Sequence, residues 1–381
     1  MATSIAAIVG GVGGVLAFLV IISLFFWFCI SHCQKLSNKN SETGSSAPSA
    51  GVELKRGGPS SSTAPALVGP PDTRQFRLED LEKATRNFDE SNLIGCGSFG
   101  LVFKGLLYDG TVVAVKRHTG AARQEFSEEV RYLSRIQHRN LVTLLGYFQD
   151  SSYQMLIFEY VPNGSVCNHL YDTGKDGSPK LEFKQRLTIA IGAAKGLCYL
   201  HGQNPPLVHG NFKTANVLVD ENFIAKVADA GVLKLLGNTE AAGPSSMNAN
   251  AFKDPEMVQM GRFCETSDVY SFGVFLLELI TGREASNISA NGSNESIMQW
   301  VERHLNSNGI VDHRLVGSFT TEGIRDFIRL TLRCMSSPGR SRPSMEMVVL
   351  ELDQILEKEV MLTTVVGEGT TVTLGSQLFS Q

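Results

Sequence analysis

The sequence predicts an α+β fold in two lobes, a β-rich small lobe followed by an α-helical large lobe, carried behind an N-terminal membrane-spanning helix. Three observations predict it: a long apolar run over residues 5–30, β-forming runs around an Asp-Gly turn near residue 110, and apolar residues at helical spacing from Leu181 onward. With 381 residues, 43% hydrophobic and 19% charged, the chain can bury the core of one two-lobed domain or of two small ones, with tails to spare. A net charge of −4 excludes nucleic acid as an expected partner, because phosphate backbones demand concentrated Lys and Arg. The seven Cys are scattered, with no close metal-ligand pairs later in the chain, which argues against a disulfide scaffold or a zinc site and fits a reducing compartment.

Taken in order, residues 1–4 form an extracellular stub and Ile5 to Ile30 the span. At about 1.5 Å per residue this run crosses roughly 30 Å of hydrocarbon, and it contains no Asp, Glu, Lys or Arg. A cleaved signal peptide is the competing reading, but the run lacks a basic leader and a small-x-small site after Ile30. Gly10 and Gly14 form a G-x-x-x-G pair, which is either a coincidence of a Gly-rich span or a face for homo- or hetero-oligomers with another membrane helix. Lys35, Lys39, Lys55 and Arg56 follow the span, so the positive-inside rule makes this a single-pass protein with everything after Ile30 in the cytoplasm. Ligand sensing would then fall to another chain. Cys29 and Cys33 stand at the membrane boundary, where palmitoylation occurs, and the sequons at Asn287, Asn291 and Asn294 would carry sugar only in the opposite topology.

Residues 31–75, rich in Ser, Gly, Pro and Ala, read as a disordered juxtamembrane linker. Ordered sequence resumes over 76–358, beginning with Leu78, Leu81 and Ala84 on one helical face. Leu101-Val102-Phe103 and Val112-Val113-Ala114-Val115 flank Tyr108-Asp109-Gly110, a hairpin signal. Phe126, Val130, Leu133 and Ile136 then recur at helical spacing, so a sheet with a helix against it is expected. Helical patterns follow, including Arg186 to Leu200 and Ser267 to Thr281. The second is very apolar but too short to span a bilayer, and so reads as a buried helix. Residues 359–381 read as a flexible tail.

The chemistry sits in four places. Gly95, Gly97 and Gly100 make a G-x-G-x-x-G turn whose missing side chains let backbone N–H groups approach phosphate oxygens. A strand pattern follows it, where a dinucleotide fold would have a helix. Lys116 lies on the third expected strand and Glu129 mid-helix downstream, placed to pair with that ammonium and aim it at nucleotide phosphates. Lys213, Asn216 and Asp229 add a cation and two oxygen ligands for a metal ion. Val208 to Asn216 has the layout H-R-D-x-x-x-x-N, in which the Asp takes the substrate hydroxyl's proton. The base position is Asn211, whose amide has no pKa near neutrality.

In this order and spacing the chain resembles a protein kinase, and more narrowly the Pelle-related receptor-like kinases of plants. Phe76-Arg77-Leu78-Glu79-Asp80-Leu81, His138-Arg139-Asn140-Leu141-Val142, Leu156-Ile157-Phe158-Glu159-Tyr160-Val161 and Arg342-Pro343-Ser344-Met345 carry the likeness, which covers about Phe76 to Leu356. The resemblance implies ATP with Mg2+ between the lobes, against Val102, Ala114, Glu159 and Val161. It also implies a hinge over 159–163, Phe158 as gatekeeper and a Glu256 to Arg342 ion pair. It further implies a place in the plasma membrane, in contact with lipid and with other receptor-like kinases or receptors.

Four departures fall in one region. Asn211 replaces the catalytic Asp, Gly210 the neighbouring Arg, Ala230 the Phe of Asp-Phe-Gly, and Ala249 a Thr of the substrate platform. A general base contributes about 10²–10⁴ in rate, so its loss alone leaves trace transfer open. Four losses together predict a receptor-like pseudokinase that still binds ATP and works as a signalling partner. The alternatives are an active Ser/Thr kinase with an atypical loop and a scaffold that takes no nucleotide. Thr239, Ser245 and Ser246 are candidate acceptors for a partner kinase.

Overall fold

The computed structural model describes residues 73–118, 125–171, 181–236, 251–260, 263–289, 297–305 and 309–365. The expected stub and span, the linker up to residue 72, Thr239, Ser245, Ser246, Ala249 and the tail from 366 lie outside them. Among the described residues no helix is long and apolar enough to cross a membrane.

The small lobe contains β1 (Arg74–Gln75), α1 (Leu78–Thr85), β2 (Leu93–Cys96), β3 (Gly100–Leu106), β4 (Val112–His118), α2 (Phe126–Leu133), β5 (Leu144–Gln149) and β6 (Gln154–Glu159). Its six strands lie in the order β1-β5-β6-β4-β3-β2. The β3–β4 hairpin closes where expected, with the Asp109 carboxylate accepting the Thr111 N–H at 2.9 Å. Successive side chains of β6 alternate across the sheet: Met155 and Ile157 join Phe76 and Leu81 on one side, while Leu156 and Phe158 join Phe126, Val130 and Leu133 on the other. This alternation puts α1 on one face and α2 on the other. Contrary to the linker expected through residue 75, Arg74 and Gln75 pair in parallel with Gly146 and Tyr147, because burial of Phe76 pins the chain to the sheet edge.

The large lobe contains α3 (Val166–Tyr171), α4 (Phe183–His201), β7 (Val217–Val219), β8 (Ala225–Val227), α5 (Val232–Leu236), α6 (Pro255–Met260), α7 (Glu265–Thr281), α8 (Ala285–Ser289), α9 (Ile297–Leu305), α10 (Thr321–Cys334) and α11 (Met345–Val365). Every residue of α7 from Ser267 to Thr281 is buried, as its all-round apolar sequence requires. Arg186 of α4 is buried against it, giving hydrogen bonds to the Leu181 and Leu279 carbonyls and to Asp312 at 2.7 Å. Helix α11 continues past residue 358 into the stretch expected to be tail. Buried Glu359 holds it, accepting the Thr320 N–H at the start of α10 at 3.1 Å. The expected Glu256 to Arg342 ion pair is present at 3.8 Å, and Arg342 grips Asp254 more closely, with two bonds of 2.6 and 3.0 Å. Glu256 also accepts from the Ser337 hydroxyl and the Gly339 N–H, both at 2.8 Å.

Candidate functional site

The glycine turn joins β2 to β3, its Gly97 N–H donating to the Gly100 carbonyl at 2.9 Å. Beneath it, β4 holds Ala114 opposite Phe158 of β6, and Lys116 opposite Val102 on one side and Leu156 on the other. Gly97 lies directly over Asp229: a Cβ built on it would stand 3.9 Å from Asp229 Oδ2. The expected partner of Lys116 was Glu129 of α2. The structure instead pairs the Lys116 ammonium with Asp229 Oδ1, both side chains largely buried, and among the described residues no ion pair or hydrogen bond joins Lys116 to Glu129. Asp229 follows β8 in the left-handed region, φ +67°, a turn that aims its carboxylate at β4.

The Val208 to Asn216 loop is fully built around the substituted residue. His209 and Gly210 donate their backbone N–H groups to the buried Asp268 carboxylate of α7 at 2.7 and 2.8 Å, and His201 meets it at 3.0 Å. The Asn211 N–H reaches His209 Nδ1 at 3.3 Å, which leaves the proton on Nε2 to be donated to the Ala228 carbonyl at 2.9 Å. Asn216 Nδ2 donates to the Asn211 carbonyl at 2.9 Å, and the Ala228 N–H to the Asn216 carbonyl at 2.8 Å, so Asn216 and Asp229 converge. The loop is held by hydrogen bonds on both sides of residue 211, and the side chain there is an amide.

A carboxylate and an amide oxygen suit a hard dication whose remaining ligands come from phosphate and water. With Nδ2 already donating, the ligating atom of Asn216 would be Oδ1. Among the described residues no group of three or more His, Cys, Asp or Glu gathers to hold a metal unaided. Lys213, between these groups in sequence, is half-buried.

At the expected hinge, the Glu159 N–H donates to the Thr143 carbonyl at 3.0 Å, while its carboxylate accepts the Thr143 N–H at 2.8 Å and Lys226 at 2.9 Å. Burial alone would push that carboxyl up, but Lys226 and Thr143 together hold it below the usual range. Val161 is buried beside it. Phe158 and Ala230 line an apolar cavity of about 20 Å³ with Leu133, Leu141, Leu144 and Leu156.

Sequence reasoning missed a second network below the loop. Thr214 and Tyr171 both donate to Glu278 Oε2, and the Ala285 N–H reaches its Oε1 at 2.7 Å. Burial pushes the Glu278 carboxyl up, and burial together with that carboxylate pushes the Tyr171 phenol up. These residues are far apart in sequence, and only a Glu at the end of the long apolar run of α7 could have signalled them. Lys226 and Asp268 were likewise given no role.

A family model, protein tyrosine and serine/threonine kinase, matches residues 88–352. Receptor-like protein kinase ANXUR1 of Arabidopsis thaliana is 36% identical over 368 residues, covering 92% of this chain and 43% of that protein. Receptor-like protein kinase HERK 1 of the same plant is 40% identical over 286 residues, covering 73% of this chain and 34% of that protein. The chain thus spans less than half the length of these curated relatives. Among solved structures, the pseudokinase domain of BIR2, titled an immune regulator of the RLK/Pelle family, superposes with a TM-score of 0.62 at 31% identity, covering 77% of this chain and 90% of that one. Matching motifs, two lobes and these likenesses agree: the chain belongs to the protein kinases and, within them, to the Pelle-related receptor-like kinases of plants.

Proposed function

We propose that this chain is a receptor-like pseudokinase, anchored in the plasma membrane with its kinase-like domain in the cytoplasm, that binds ATP with Mg2+ and serves receptor kinases as a signalling partner. One observation carries the reading: Asn211 occupies the base position on a loop whose supporting hydrogen bonds are intact. An amide there cannot take the proton of an attacking hydroxyl, while Lys116, Asn216 and Asp229 retain the chemistry to hold phosphate and metal. The likeness to a pseudokinase domain supports it.

The test is radiolabelled phosphate transfer by the purified full-length protein to a generic substrate, with the Asp229→Asn variant as control. The expected result is no transfer above control; brisk transfer that disappears in Asp229→Asn overturns the reading. A scaffold that takes no nucleotide is favoured by the Lys116 to Asp229 pair, in which the phosphate-binding cation and the metal-binding carboxylate neutralise each other. Thermal stabilisation by Mg-ATP, lost in Lys116→Ala, separates the two, since only a binding-competent cleft gains stability from ligand.

A further inference from the structure

We infer that the C-terminal end of α2, with the loop that follows it, is a membrane-docking strip on which Arg131, Arg135 and Arg139 meet the anionic headgroups of the bilayer that tethers the chain. All three arginines are exposed, and among the described residues none of them makes an ion pair or a side-chain hydrogen bond with a carboxylate. Arg77, Arg329 and Arg333 are exposed too, but each holds a carboxylate at 3.0 Å or less. No Asp or Glu occurs between Val130 and Asp150, so nothing in this stretch offsets the three charges. The acids of α2, Glu128 and Glu129, stand in its first turn, and Glu125 precedes them. A helix dipole favours that polarity, but its effect fades within the last turn and does not account for Arg139.

The place where the chain enters the domain makes the bilayer the partner. Thr73, the first described residue, shares a hydrogen bond of 2.5 Å with the Ser134 hydroxyl, and Ser134 lies between Arg131 and Arg135 in the chain. Ser134 Oγ in turn donates to the Arg131 carbonyl at 3.0 Å, so the Thr73 hydroxyl is the donor of the pair. Burial of Phe76 and the pairing of β1 with β5 hold this entry point in place. Whatever path residues 31–72 take from the span, they arrive beside the strip. A flexible chain of that length has a root-mean-square span of roughly 35 Å, so headgroups are offered to the arginines at high effective concentration. Near an anionic leaflet each arginine favours association about fivefold, and three together about 100-fold. A soluble acidic protein would satisfy the same charges, but no tether would hold it at this place. Docked on the strip, the small lobe lies against the bilayer and the domain meets its receptor partners in one orientation. Such docking rests on the membrane anchor proposed above.

The test incorporates the full-length protein into vesicles of phosphatidylcholine, alone or mixed with phosphatidylserine. Phenylglyoxal modifies accessible guanidinium groups, and mass spectrometry reads each arginine separately. Arg325 and Arg340, exposed on the large lobe, are the internal controls. Phosphatidylserine should slow modification of Arg131, Arg135 and Arg139 by about tenfold, leave the controls unchanged, and lose its effect at high salt. In the Arg131→Glu/Arg135→Glu variant, Arg139 should react alike in both membranes. Equal rates at the three arginines in the two vesicles overturn the docking. Protection by a soluble phosphoserine peptide, with none by phosphatidylserine, gives the strip to a phosphorylated protein and overturns it as well. Alkaline extraction reads the anchor separately: a chain washed off the vesicle removes the anchored reading, while protection recorded before the wash upholds the strip.

Discussion

Asparagine and aspartate differ by one heteroatom, and at position 211 that atom is the proton acceptor. Because Gly210 and Ala230 also depart from the family pattern, restoring the acid by Asn211→Asp should raise phosphate transfer by less than about tenfold, as measured by radiolabel incorporation. A burst of activity in that single variant would mean the base alone was limiting. Lys116 acts on both stability and binding. Its removal leaves the buried Asp229 carboxylate without a cation, so Lys116→Ala should lose about 1–3 kcal/mol in chemical denaturation as well as any stabilisation by Mg-ATP. Equal denaturation midpoints would show that the pair contributes nothing to the fold.

At the scale of elements, two junctions should be the most sensitive to change. Gly231 joins β8 to α5 at positive φ with Leu133 pressed against it, so Gly231→Ala should cost more than about 1 kcal/mol. The cost should be smaller when measured in a Leu133→Ala background, because the obstructing side chain is gone. Strict additivity in that double-mutant cycle would place the cost in the backbone alone. The second junction ties α4 to α7 through Arg186. Burial would raise the Asp312 carboxyl, but Arg314 and Arg186 hold it below the usual range. Asp312→Ala strands a guanidinium that is 1% exposed, and about 3–5 kcal/mol should be lost in denaturant titration.

Across the whole molecule, stability should respond to pH through Glu278 and Glu359, whose carboxyls burial pushes above the ordinary carboxyl value of 4.5. A raised acid binds more protons when folded than unfolded. Its contribution is therefore fully present below pH 4.5 and is lost as pH rises through the higher folded value. Between pH 4.5 and 8 the wild type should accordingly lose Tm relative to Glu278→Gln; parallel curves would mean that the three donors around Glu278 offset its burial. The hairpin, the helices α4 and α7 and the identities of Lys116, Asn211, Asn216 and Asp229 were legible in the sequence. Periodicity, turn chemistry and motif spacing are local properties that a chain carries before it folds. The partner of Lys116, the closer grip of Arg342 on Asp254 than on Glu256, and the meeting of Tyr171, Thr214 and Glu278 were not legible. Helix α5 was not legible either, being too short to show a period. By itself the sequence determined which chemical groups the cleft possesses and which it lacks. Only the tertiary structure decided which opposite charges meet, because ion pairing is set by distance and burial across elements that the chain brings together from afar.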